Sequence, residues 1–168
     1  MRKIAWPFAA ALTALLLSSC APSVLGGSAN NPFPAAGGVP HVTGGQTIYL
    51  RVDHSLADFG LEPSALQPAL WVPSGYASEL GEVTGQFGFS ADRVPDGWTI
   101  RLQTVRVERS SQSGSGSADA GRTVYALWAV YEVTAPTDGI PGPYRFRGVL
   151  RARGGGEVPV RLSVELDG

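Results

Sequence analysis

Residues 144–166 read YRFRGVLRARGGGEVPVRLSVEL. Arginine alternates with apolar residues on both sides of three consecutive glycines. Such a period of two marks a strand with one face buried and one wet. The glycines Gly154-Gly155-Gly156 supply a turn, so Tyr144–Arg153 and Glu157–Leu166 are expected to form a β-hairpin. Setting Arg153 opposite Glu157 pairs Ala152 with Val158, Leu150 with Val160, Gly148 with Leu162 and Phe146 with Val164, all on one face. The same register places Arg145 opposite Glu165 and Arg147 opposite Ser163. The outer face then carries Arg145, Arg147, Arg151, Arg153 and Arg161 against only Glu157 and Glu165. Guanidinium groups grip phosphate and carboxylate bidentately, which makes this face a candidate anion site. The competing reading is a solvated sheet face kept charged to prevent edge pairing.

Alternation continues upstream, and no segment shows a sustained helical stripe. Gln46–Asp53 puts Ile48, Leu50 and Val52 on one face. Ala69–Val72, bounded by Pro68 and Pro73, is expected at a sheet edge. Val83–Ser90 places Val83, Phe87 and Phe89 on one side. In Gly97–Arg109 the apolar parity switches between Leu102 and Val105, which predicts a bulge near Gln103–Thr104. Arg122–Thr134 is apolar on both faces and is expected to be a central strand covered on both sides. Seven strands joined by Gly/Pro-rich connections predict an all-β domain, an antiparallel β-sandwich, with a small barrel as the alternative. The strand count resembles immunoglobulin and fibronectin type III domains as a fold analogy. The inter-sheet disulfide of antibody domains is excluded, because the chain has a single cysteine. The low-complexity run Ser110–Gly121 is expected to be a loop.

That cysteine, Cys20, closes an apolar run, Ile4–Leu17, preceded by Arg2 and Lys3. A charged start, a short apolar core and small residues describe a secretory signal peptide, here residues 1–19. Leu17-Ser18-Ser19-Cys20 resembles the lipobox of bacterial lipoproteins. The resemblance implies diacylglycerol on Cys20, cleavage before it, and often acylation of the new amino terminus. It also implies a lipid-anchored location in the cell envelope. Ala21 is not the aspartate that retains such proteins at the inner membrane, which leans towards the outer membrane or cell surface. The alternative is an ordinary signal peptide cleaved elsewhere, leaving a free thiol or an intermolecular bridge. Ala21–Gly45 has six glycines, four prolines and no charge. Residues 20–45 are therefore expected to be a flexible tether reaching roughly 25–30 Å, with an edge strand through Phe33 and Val42 as the alternative. The β domain is expected over residues 46–168.

Past Cys20 there are 11 arginines, no lysine and 14 acidic residues, a formal charge of −3 that argues against nucleic-acid binding. His41 and His54 stand apart from any metal-ligand spacing, and no phosphate-binding glycine loop or nucleophile elbow is present. Asp53, His54 and a nearby serine are a weak fragment of a catalytic triad, a constellation defined by geometry. The aromatic residues, among them Tyr49, Trp71 and Tyr125, are expected mostly in the core, with a carbohydrate or peptide groove as the competing reading. The sequence thus points to a non-enzymatic binding or structural module on the envelope, needing no cofactor or metal. Its partners would be the membrane, through Cys20, and an anionic envelope polymer or an envelope protein. An envelope hydrolase or lyase with a loop-assembled site, and an accessory subunit pairing through a strand edge, are the rivals.

Overall fold

Alternating, β-branched sequence produces strands almost throughout the computed structural model, which describes residues 27–75, 77–111 and 123–168. Among the described residues there are ten strands: β1 (Phe33–Pro34), β2 (His41–Val42), β3 (Thr47–His54), β4 (Trp71–Gly75), β5 (Ser78–Glu82), β6 (Phe87–Arg93), β7 (Thr99–Ser111), β8 (Thr123–Thr134), β9 (Gly142–Ala152) and β10 (Glu157–Leu166). They form a six-stranded sheet in the order β1-β3-β8-β7-β5-β4 and a four-stranded sheet in the order β2-β10-β9-β6. Both sheets are mixed, because β1 runs parallel to β3 and β2 parallel to β10. Cys20, the apolar leader and most of the Ser110–Gly121 run lie outside the described residues.

The two sheets share one core. Ile48, Leu50, Val107, Leu127 and Tyr131 enter it from the larger sheet, and Phe146, Leu150, Leu162 and Val164 from the smaller. Edge-on rings tie the sheets together, with Phe89 5.0 Å from Tyr131 and Trp98 5.2 Å from Phe146. Between β3 and β4, Ser55 caps a short 3-10 turn, Leu56–Phe59, accepting the Ala57 N–H while Asp58 accepts the Ser55 N–H. That turn buries Leu56 and Phe59 under the open edge of the core.

The expected seven-stranded sandwich is replaced by these ten strands in two separate sheets, which also do not close into a barrel. The three additional strands have two sources. The expected Val83–Ser90 strand is shortened to β6 by a 3-10 turn at Thr84–Gln86, held by the Thr84 hydroxyl against Thr104 at 3.0 Å and the Val105 N–H at 2.9 Å. That turn carries the chain from β5 in one sheet to β6 in the other. β4 and β5 form a hairpin of their own, with β4 at the sheet edge as its prolines required. The remaining two strands come from the expected tether. Phe33 pairs with Leu50, and Val42 is 2% exposed beside β10. Residues 27–45 therefore lie on the domain, because two apolar side chains and a parallel ladder outweigh the ordering entropy of a Gly/Pro-rich segment.

β8 is central, between β3 and β7, and its outer face is covered only in part. Leu127, Ala129, Tyr131 and Val133 face the core; on the other face Val130 is buried, whereas Val124 and Ala126 are exposed. Trp128 on that face is shielded by the Arg51 guanidinium, 5.3 Å above its ring. The register of β7 against β8 shifts between Leu102 and Thr104, the bulge expected from the parity switch.

Candidate anion-binding face

Strand β9 lies between β10 and β6, so its outward side chains have neighbours on both flanks. Arg145, Arg147 and Arg151 on β9 and Arg161 on β10 are exposed, while Phe146, Leu150, Leu162 and Val164 are buried, as the alternation required. Arg153 is exposed too but lies just past β9, in the turn, where its N–H donates to the Gln86 carbonyl at 2.7 Å.

The expected register is wrong by two residues. Val158 faces Leu150, Val160 faces Gly148, Leu162 faces Phe146 and Val164 faces Tyr144. The reason lies in the turn, which closes one residue earlier than expected: Ala152 pairs with Gly156, so the three-residue loop is Arg153–Gly155 rather than the three glycines. The Gly155 N–H donates to the Ala152 carbonyl at 3.2 Å, and the Ala152 N–H to the Gly156 carbonyl at 3.1 Å. The Gly156 N–H donates at 2.7 Å to the carbonyl of Phe59, which fastens the turn to the 3-10 segment across the core edge. A β-carbon on Gly155 would crowd both that carbonyl and Leu61, so the close approach requires glycine.

The two-residue shift leaves faces unchanged and rearranges the charges. Arg147 now stands opposite Arg161, Arg145 opposite Ser163, and Arg151 opposite Glu157. On the other flank β6 brings Arg93 opposite Arg147. Arg93, Arg147 and Arg161 thus form a row across three strands, about 10 Å from end to end at ordinary strand spacing. All three are exposed, and among the described residues none makes an ion pair. Like charges directly opposite on a sheet oppose folding, a cost that an anion lying across the row removes. Sequence reasoning missed Arg93, because a register shift between Ala91 and Arg93 breaks the alternation that would have assigned it to this face.

Arg151 differs from the row. Its Nε donates to the Glu157 Oε2 at 2.5 Å, and this bond raises its pKa above the ordinary guanidinium value. Beside it, Arg151 and Arg153 flank a shallow depression of about 260 Å³ floored by Gly85 and Gly88.

The histidines do not assemble a site. Asp53 and His54 point to opposite faces of β3, as consecutive strand residues do, and Asp53 pairs with Arg51 at 3.1 Å. His54 packs its ring 5.6 Å from Phe59, and its buried Nε2 has no partner among the described residues. Burial lowers its pKa, against the pull of Asp58 and Asp53. His41 Nδ1 lies 2.8 Å from the Asp167 carboxylate, which raises its pKa. Among the described residues no three His, Cys, Asp or Glu side chains converge as metal ligands, and no helix is long and apolar enough to cross a membrane. Of the aromatic residues, Trp98, Tyr131 and Phe146 are core, whereas Tyr49, Trp71, Tyr125 and Trp128 are only half-buried. Comparison of the chain with protein-family models, with curated proteins and with solved structures finds no match.

Proposed function

We propose that the chain is a lipid-anchored bacterial envelope protein whose β domain binds an anionic envelope polymer or headgroup through the β6-β9-β10 face, without catalysis. The observation that carries this reading is the unneutralised row Arg93, Arg147 and Arg161, flanked by Arg145 and by the Arg151–Arg153 depression. Guanidinium forks match phosphate and carboxylate oxygens, and a row along one direction suits a linear polyanion. The anchor is Cys20, on the strength of the lipobox-like Leu17-Ser18-Ser19-Cys20. With Gly27 packed close to the Tyr49 carbonyl of β3, the chain from Cys20 to Gly27 spans at most about 25 Å when extended, so the domain is held close to the bilayer. The outer membrane or cell surface is the location this reading favours. The finer fold reading, an immunoglobulin-like arrangement of the sheets, draws support from the Tyr144 hydroxyl. It donates at 2.6 Å to the Ile140 carbonyl four residues upstream, the contact of a tyrosine corner.

Two measurements test the proposal. The intact mass of native protein extracted from membranes should include diacylglycerol at Cys20, and an unmodified Cys20 refutes the anchor. Retention of the full chain on immobilised polyphosphate should fall with salt. Replacing Arg93, Arg147 and Arg161 by Ala should flatten the log–log salt dependence by roughly two to three, one unit per lost contact. An unchanged slope refutes the anion face.

A further inference from the structure

A second concave surface lies at the opposite sheet's open end. Strands β7 and β8 run on beyond the cover of the smaller sheet, and their core-facing sides emerge there. The last covered row is Leu127, Val107, Gly81 and Trp71, in register across β8, β7, β5 and β4. The next row on the same face is Tyr125, Arg109, Glu79 and Pro73, and it floors a cleft of about 510 Å³ walled by Ser111 and Thr123. This volume lies within the usual range for small-molecule sites, roughly 300–1,000 Å³.

The row is organised. The Arg109 guanidinium sits 4.2 Å over the Trp71 ring, and both its Nε and its terminal nitrogen donate to the Glu79 Oε2 at 2.7 Å. Trp71 is itself fixed from beneath, because Gly81 lacks the β-carbon that would overlap Pro68 and press on the Trp71 ring. Stacking and the ion pair hold Arg109 in one orientation, leaving its remaining N–H groups as placed donors. No hydrogen bond from the described residues reaches the Glu79 Oε1, which is left as a placed acceptor. Ala77 at the rim holds φ 58°, a left-handed conformation that a non-glycine residue adopts at a cost.

The geometry points to a subsite for a neutral sugar ring. The Arg109–Glu79 pair is internally neutralised, so the described residues of the cleft carry no net charge to select an anion, in contrast to the arginine row on the other sheet. It offers a donor–acceptor pair in one plane beside hydroxyls of Ser111 and Thr123, which matches vicinal hydroxyl groups. On the same floor, half-buried Tyr125 gives an aromatic surface for the apolar face of a pyranose. The site is separate from the anion face and stands without it.

The test is saturation-transfer NMR on the full chain in a sugar-free detergent, with maltotriose, cellotriose, mannotriose and tri-N-acetylchitotriose as probes. At least one should show transfer to its ring protons. Glu79→Gln, which keeps the shape and leaves Arg109 a neutral acceptor, should weaken that binding roughly tenfold, the scale of one charged hydrogen bond. Tyr125→Ala should weaken it comparably, and Thr123→Val, which leaves the ion pair intact, should weaken it less. Arg147→Ala/Arg161→Ala should leave it unchanged. Failure of all four probes overturns the proposal. So does binding that Glu79→Gln and Tyr125→Ala leave intact, or tighter binding of trigalacturonate than of the neutral trisaccharides.

Discussion

Val42→Ala measures whether the glycine- and proline-rich segment before β3 belongs to the fold. Val42 is 2% exposed, in a two-residue strand beside Glu165–Leu166, and its carbonyl accepts the Asp167 N–H at 2.9 Å. The substitution removes two methyl-sized groups, about 1.6 kcal/mol at ~0.8 kcal/mol each. A residual cavity raises the total to about 2–3 kcal/mol, since β10 on one side cannot collapse into the gap without losing its ladder. For a domain of this size that corresponds to a Tm lower by about 6–10 °C. Urea unfolding followed by tryptophan fluorescence reads the loss directly, with an unchanged slope expected because the unfolded surface is nearly the same. Val39→Ala is the internal control, because Val39 lies in the same segment but is 48% exposed. Its effect should stay within about 0.5 kcal/mol. If Val42→Ala costs no more than Val39→Ala, residues 27–45 do not pack on the domain, and the shortened link to Cys20 falls with them.

Two further outcomes follow from buried and paired titratable groups. Burial pushes the Tyr131 phenol well above its ordinary pKa, and its hydroxyl has no partner among the described residues. Tyr131→Phe should therefore be neutral or stabilising by up to about 2 kcal/mol in urea unfolding, and a loss above about 1 kcal/mol would show that the hydroxyl is hydrogen-bonded. In an NMR titration His54 should ionise below 6.5 and His41 above it. His54, neutral when folded, contributes stability above 6.5 that is lost as pH falls towards its folded pKa. His41, charged against Asp167, contributes stability below 6.5 that is lost as pH rises through its folded pKa. His54→Leu should flatten the loss of stability between pH 7 and 5. A dependence unchanged in that variant refutes the assignment.

How much of this molecule was legible in its sequence depends on the range of the interaction. Alternation alone assigned Phe146, Leu150, Leu162 and Val164 to the core and Arg145, Arg147, Arg151 and Arg161 to solvent. The parity switch located the bulge beside Gln103, and flanking prolines put β4 at an edge. These are properties of a single strand, written into its own residues with a period of two.

Pairing was not legible in the same way. A hairpin slipped by two residues keeps every side chain on its face, so hydrophobic pattern cannot distinguish the two registers. The choice was made by the Phe59 carbonyl, about a hundred residues upstream, which fastens Gly156 and closes the turn one residue earlier. That shift set Arg147 against Arg161, and the β6–β9 ladder added Arg93. The same holds for Phe33 and Val42, whose parallel partners lie in β3 and β10, and for Tyr125, Arg109 and Glu79, which meet only where one sheet outruns the other. The sequence determined which way each side chain faces, because that follows from neighbours along the chain. The tertiary structure decided which side chains meet, because that depends on backbone groups brought together from distant strands.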